Sequence, residues 1–139
     1  MNKDKTEEFF YVSGINCEIE TALQQMNLTK RLFNKTKGIL GFHGYQSFKE
    51  GEVTPELAHE IGVKLANEMW GDRFEVVVST HLNTKHLHNH FIVNSVSFID
   101  GMKFYSNRSS TARLREISDD LCKEYGLSVL DEKPTSKGR

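Results

Sequence analysis

Residues 73–98 read RFEVVVSTHLNTKHLHNHFIVNSVSF and hold two apolar runs separated by a short polar stretch. The runs, 73–81 and 86–98, are rich in β-branched and aromatic side chains, which is typical of strands. The four residues between them, 82–85, cannot connect parallel strands, because such a connection needs about a dozen residues or more. The segment therefore predicts an antiparallel β-hairpin.

Helical patterns lie on both sides of this hairpin. Apolar residues recur at helical spacing in three segments, and each segment has its own start or stop signal, such as the N-cap and first-turn proline of Thr54-Pro55. We expect helices over 18–35 (ended by Gly38), over 54–70, and between the serines at 109–110 and Gly126.

Two further stretches, 39–48 and 103–105, are expected to be strands. Residues 1–130 are then predicted to form one α+β domain, with a central, mainly antiparallel sheet flanked by helices. Residues 131–139 are expected to be a polar tail.

The composition is that of an ordinary globular domain. The 139 residues are 37% hydrophobic and 27% charged, with 18 basic against 19 acidic side chains. The near-neutral total conceals segregation, since residues 26–49 carry five basic residues and no acid, and residues 76–115 carry five basic residues and one acid. Two basic segments brought onto one face would suit a phosphate backbone.

Several classes of protein are disfavoured. No apolar run approaches the roughly 18 residues that a membrane helix needs, and the first eight residues lack the pattern of a signal peptide. Cys17 and Cys122 alone make no disulfide framework. A cytoplasmic protein without a membrane segment is expected.

Four of the six histidines, His81, His86, His88 and His90, lie within the hairpin. Side chains two residues apart on a strand share a face, so the last three point the same way. A four-residue turn would pair His81 with His86, whereas a six-residue loop would pair it with His88. Either pairing can bring three imidazoles around one ion, because cross-strand Cβ atoms lie about 5 Å apart. The pattern predicts a metal site and leaves open which three histidines bind the ion.

The metal is less well defined than the site. Three histidines leave coordination positions open for water or substrate, as in catalytic metal sites. Imidazole nitrogen favours zinc, nickel, copper or manganese over magnesium in affinity.

Two segments together resemble a known family. The segment HLNTKHLHNHFIVNSV at 81–96 resembles the metal-binding motif of plasmid relaxases, also called mobilization nucleases, which belong to the HUH endonucleases. HGYQSFKEGE at 43–52 is similar to the relaxase motif whose serine contacts DNA near the scissile phosphate, and SGINC at 13–17 also matches. The resemblance extends from the first residues to about Leu130 and implies the relaxase-like HUH fold.

The resemblance also implies site residues. It places the ligands of one divalent metal ion (Mg, Mn, Zn or Ni) at His81, His88 and His90, and a DNA-contacting hydroxyl at Ser47. The residues expected to orient these ligands or to replace one of them are His86, Asn83 and Asn94, and the residues expected to contact phosphates are Arg108 and Arg113. Asn83 stands where the family often has aspartate, and Asn89 stands where the wider class is usually hydrophobic.

The chemistry implied is transesterification at a plasmid or integrative-element transfer origin. In the family a tyrosine attacks one phosphodiester of single-stranded DNA, and relaxosome accessory proteins are possible partners. The family's tyrosine shortly precedes the Lys-Thr that aligns with Lys5-Thr6, so the match places it about two residues before Met1. We therefore expect this chain to lack the first strand and the nucleophile, and not to nick DNA. Tyr11 is the nearest substitute, while Tyr45 and Tyr105 suit packing or base stacking.

Two other functions fit parts of the sequence. A cupin-like small-molecule metalloenzyme also carries His-x-His on a strand, but it needs a glutamate where this chain has Asn94-Ser95, and the two long helices suit an all-β barrel poorly. A metal-bearing single-stranded DNA-binding module without catalysis is the other alternative.

Overall fold

A computed structural model describes residues 7–38, 40–83 and 85–129, with side chains from Phe10 onward. The α+β class is confirmed. The elements in chain order are β1 (Glu7–Ile15), a 3-10 turn (Ile19–Thr21), α1 (Ala22–Leu32), β2 (Gly41–Ser47), α2 (Pro55–Trp70), β3 (Val76–Asn83), β4 (His86–Asn94) and α3 (Arg108–Glu124).

The four strands form one antiparallel sheet in the order β1-β3-β4-β2. The predicted hairpin is its centre, formed by β3 and β4. The second strand ends at Asn94 rather than at 98, because Ser97 turns the chain: its hydroxyl accepts hydrogen bonds from the backbone N–H groups of Ile99 and Asp100 at 3.0 and 3.3 Å. A single bridge, Val96 to Lys103, stands where a short strand over 103–105 was predicted.

Residues 7–15 form β1, a strand that the sequence patterns do not predict. This edge strand pairs with β3, from Glu7 opposite Asn83 to Ile15 opposite Val76, with a bulge at Phe10. The continuous apolar run FFYV at 9–12 does not alternate, so it lacked the two-residue period that indicates a strand with one solvent face.

The helices α2 and α3 cover one face of the sheet. Between them lies the core, in which buried strand residues such as Val78 and Phe91 meet Ile61, Leu65 and Trp70 of α2. The predicted start of α2 is confirmed, since the Thr54 hydroxyl accepts from the backbone N–H of Leu57 at 3.1 Å and Pro55 is the first helical residue.

The other two helices differ from prediction at their ends. The helix predicted over 18–35 is divided into the 3-10 turn and α1, and the chain leaves it at Asn34 (φ 58°), before Gly38. The last helix begins at Arg108, because Asn107 and Ser110 cap each other's backbone N–H groups at 2.9 Å; the serines at 109–110 lie inside it. Gly126 follows it with φ 74°, as predicted. The predicted tail, 131–139, lies outside the described residues.

Candidate metal centre

The register of the central hairpin determines which histidines meet. His81 lies opposite His88, and Asn83 lies opposite His86, so the strands continue beyond His81 to a turn of two residues. The pairing is the one that the longer-loop alternative predicted. The predicted turn over 82–85 was two residues too long, because Leu82 and Asn83 belong to β3.

Three imidazoles converge on the sheet face away from α2 and α3. The ring centroid of His81 lies 4.1 Å from that of His88 and 4.0 Å from that of His90, and the latter two are 4.9 Å apart. Each ring offers one ligand nitrogen, and these three atoms lie within 4.8 Å of one another. Ligands bound tetrahedrally at about 2 Å would be about 3.3 Å apart, a spacing that small ring rotations reach. The donor set therefore fits a divalent metal ion. We call His81, His88 and His90 the histidine triad.

The protonation of His90 suits metal binding. Burial, together with the neighbouring rings of His81, His88 and His43, lowers the pKa of His90 to about 4. His90 is therefore neutral at neutral pH, with a lone pair available to a cation. His86 is exposed at the hairpin turn and lies outside this group.

The edge strand β2 adds two side chains to the triad's face. Ser47 lies opposite His88, and Tyr45 lies opposite His90. The Tyr45 ring meets the His90 ring edge-to-face, with centroids 4.6 Å apart, and stacks on His43 at 5.0 Å. The structure therefore brings the predicted DNA-contacting serine beside the triad.

A buried amide lies behind the triad, between two of its members. The Asn89 side chain points to the helix side, where its Nδ2 donates to the backbone carbonyl of Ala58 at 2.9 Å and to Gln46 Oε1 at 3.0 Å. Its Oδ1 accepts a hydrogen bond from the hydroxyl of Thr80, the residue directly opposite on β3. The amide thus ties both central strands to α2.

This hydrogen-bond chain continues to a histidine that sequence reasoning missed. His59 of α2 places Nδ1 at 2.8 Å from the Thr80 hydroxyl and Nε2 at 2.6 Å from the hydroxyl of Ser13 on β1. Because the Thr80 proton goes to Asn89, His59 Nδ1 must donate to Thr80, and Ser13 must donate to Nε2. Burial lowers the pKa of His59, which favours this neutral form. A single helical histidine carries no spacing signal by which it could have been found.

Asn94 lies four residues from His90 along β4 and is engaged elsewhere. Its Nδ2 donates to Glu75 Oε1 at 2.8 Å and to the backbone carbonyl of Met26 at 3.2 Å, while Thr29 donates to Glu75 Oε2 at 2.9 Å. These bonds fasten α1 to the end of the sheet. Asn94 is therefore a buried structural amide. Asn83, at the opposite end of the hairpin, is exposed opposite His86.

The two predicted arginines are exposed on α3. That helix packs against the face opposite the triad, where Ser118 accepts a hydrogen bond from Gln46 Nε2 at 2.8 Å. The structure does not bring Arg108 or Arg113 among the histidines.

Tyr11 also lies on the helix side of the sheet. Its hydroxyl donates to Glu56 Oε2 at 3.2 Å, and its ring centroid lies 5.5 Å from that of His59. Partial burial and the Glu56 carboxylate raise the pKa of Tyr11, which makes the phenol harder to deprotonate. Both its position and its acidity separate it from the triad's chemistry.

Comparison with known proteins gives consistent matches. The family described as relaxase, MobA/VirD2-like, nuclease domain, matches residues 1–127. Two proteins named Protein rlx, both from Staphylococcus aureus, are 38% and 40% identical over 86% and 84% of this chain, and over 38% and 36% of their own lengths. The group II intron-interrupted relaxase LtrB of Lactococcus lactis subsp. cremoris is 32% identical over 88% of this chain and 24% of its own length.

The chain thus spans between 24% and 38% of the length of these relatives. No solved structure matches it. Within the described residues, no helix is long and apolar enough to cross a membrane.

Proposed function

The chain belongs to the MobA/VirD2-like relaxase family, and we propose that it binds single-stranded DNA at a transfer origin and presents one phosphodiester to the histidine triad. This proposal rests mainly on the convergence of three imidazole nitrogens within 4.8 Å on the sheet face that α2 and α3 leave uncovered. In this proposal the domain serves the nicking and strand-transfer step of conjugative mobilization from a plasmid or an integrative element.

The side chains around the triad have separate tasks in this proposal. His81, His88 and His90 hold one divalent ion, for which Zn, Mn, Ni and Mg are the candidates. When bound, such an ion would withdraw charge from the non-bridging oxygens of a phosphodiester. The Ser47 hydroxyl, opposite His88, donates a hydrogen bond to the same phosphate. Asn83 and His86 lie at the turn beyond the triad and orient the hairpin rather than bind the ion.

Transesterification also needs a tyrosine nucleophile, and Tyr11 does not provide it. It lies on the far side of the sheet, bonded to Glu56, with a raised pKa. We therefore propose that these 139 residues bind metal and DNA without forming a covalent DNA adduct. Mass spectrometry after incubation with single-stranded DNA tests this, and an adduct mapped to Tyr11 would overturn it.

Metal binding is tested by calorimetric titration with Zn²⁺ or Mn²⁺. His88→Ala should weaken binding by about 100-fold or more, because loss of even an outer hydrogen-bonding partner costs metal sites about 10- to 100-fold. His86→Ala is the matched control, since it removes an imidazole two residues away on the same strand. An equal loss in both variants would contradict the assigned triad.

DNA binding is tested by fluorescence anisotropy at several salt concentrations. The protein with metal should bind a single-stranded oligonucleotide more tightly than its duplex, and His88→Ala should lose the metal-dependent part of the affinity. Failure of the metal-loaded protein to bind single strands would refute the proposed function. A shallower salt dependence in Arg108→Ala or Arg113→Ala would identify outer phosphate contacts.

The cupin-like enzyme and the non-catalytic DNA-binding module are distinguished by different observations. The four-stranded sheet has β1 and β2 as open edges, so it is not a closed barrel of the kind in which a cupin holds a small molecule. A metal-bearing binding module without catalysis differs from a nicking relaxase by the absence of a covalent adduct, and the position of Tyr11 favours the binding module for these 139 residues. In either case we propose a cytoplasmic bacterial setting, with accessory proteins of a relaxosome as possible partners.

A further inference from the structure

An aromatic pair lies exposed on β2, beside the triad. Tyr45 is 58% exposed although it stands in the middle of a seven-residue strand, and His43 beside it is also exposed. The two rings are nearly parallel, at 27° and 5.0 Å between centroids. The stack lies on the sheet face that α2 and α3 leave uncovered, because Tyr45 pairs with His90.

Packing holds the Tyr45 ring in place without a bound ligand. It is stacked on His43 and is in edge-to-face contact with His90, with an interplanar angle of 77° and centroids 4.6 Å apart. A tyrosine has only two side-chain torsions, and these two contacts already restrict them. The ring would therefore lose little conformational entropy when a ligand binds. Its remaining surface is open to solvent.

The histidine triad beside the Tyr45 ring indicates which class of ligand the ring would bind. The Tyr45 ring is in edge-to-face contact with the ring of His90, so a planar group stacked on Tyr45 would lie beside whatever anion the triad binds. A nucleotide joins a phosphate to a flat aromatic base, and aromatic side chains beside a backbone site are the usual means of binding single strands. Ile92, 48% exposed and opposite His43, extends the apolar surface.

We propose that Tyr45, supported by His43, stacks on the nucleobase that flanks the phosphate at the triad. Tyr45 is then a positioning residue, which fixes the scissile phosphate by holding the adjacent base. This inference rests on the proposed function and names a base contact within that site.

The test compares two probes, a short oligothymidylate and an abasic oligomer of the same length, with metal-loaded protein in anisotropy titrations. Tyr45→Ala should weaken oligothymidylate binding by about 5- to 100-fold, the range for loss of one stacked base. It should leave binding of the abasic oligomer unchanged. Tyr45→Phe keeps the ring and should bind oligothymidylate within about twofold of wild type.

The matched control is Tyr11→Ala, because Tyr11 is 39% exposed and lies on the helix side of the sheet, away from the triad. It should leave both affinities unchanged, and calorimetry should show wild-type metal affinity in every variant. A Tyr45→Ala loss that is equal on both probes would overturn the stacking role, as would a Tyr45→Phe loss as large as that of Tyr45→Ala. If the wild type binds neither probe, the proposed function fails as well, and the two failures are thereby distinguished.

Discussion

Gly62, in the middle of α2, lies against the buried Asn89 amide behind the triad, and its replacement by alanine is predicted to destabilise the fold. A Cβ added there would lie 2.5 Å from Asn89 Nδ2 and 2.8 Å from its Cγ, well inside van der Waals contact. The amide is fully buried and cannot move aside without losing its bonds to Ala58 and Gln46. Gly62→Ala should therefore destabilise the fold, although alanine is the better helix former.

The size of the effect follows from those bonds. Displacing the amide breaks two buried hydrogen bonds, each worth about 1 kcal/mol net, and leaves at least one buried polar group unpaired at about 1 kcal/mol or more. The gain in helix propensity returns about 1 kcal/mol. The unfolding free energy should therefore fall by about 2 kcal/mol in Gly62→Ala.

Urea denaturation followed by circular dichroism measures this, and Asn89→Ala supplies the matched background. With the amide removed, the methyl group has space, so Gly62→Ala should now stabilise the protein by about 0.5–1 kcal/mol relative to Asn89→Ala alone. The reversal of sign is the diagnostic result. The reasoning is refuted if Gly62→Ala is as stable as wild type, or if it costs the same with and without Asn89.

Three further outcomes are expected. Asn107→Ala should lower the unfolding free energy by about 1 kcal/mol in urea, because α3 loses its capping box, while the exposed neighbour Ser106→Ala should not. Glu75→Gln should cost about 2 kcal/mol and speed amide exchange in α1, because its carboxylate accepts from both Asn94 and Thr29. Metal-free protein should lose stability as the pH falls from about 6.5 towards 4, because His90 takes up its proton in the unfolded chain at a higher pH than in the folded protein. His90→Gln should flatten that part of the plot of unfolding free energy against pH. An unchanged slope would count against the lowered pKa of His90.

The segment 73–98 allowed the most to be predicted about the fold and the candidate site. The β-branched and aromatic runs in 73–98, with only a short stretch between them, predicted the hairpin, and the two-residue period placed His88 and His90 on one face. The two-residue period did not indicate β1, because the apolar residues of this bulged edge strand follow one another without alternation. Nor could it find His59, whose two hydrogen-bond partners are 46 and 21 residues away along the chain.

Asn94 shows a different limit of sequence reasoning. Its even spacing from His88 and His90 placed it on their face, which is where a ligand-orienting amide would be expected. Residues on the same face of a strand can nevertheless be far apart. Asn94 is four residues beyond His90, and its amide is hydrogen-bonded to α1 and to Glu75. Periodicity gives the side of a strand on which a residue lies, but not its neighbours from other elements.

The amide at Asn89 accounts for the register that the sequence left open. The two candidate pairings of His81, with His86 or with His88, differ by a slip of two residues, which keeps every side chain on the same face. Burial of apolar side chains therefore distinguishes them poorly. Directional hydrogen bonds do distinguish them, because Asn89 reaches both Thr80 and the Ala58 carbonyl only when Thr80 lies opposite it. A hydrophobic residue at 89 would fill the core equally well but would not fix the register. The amide thus aligns the two strands that carry the histidine triad.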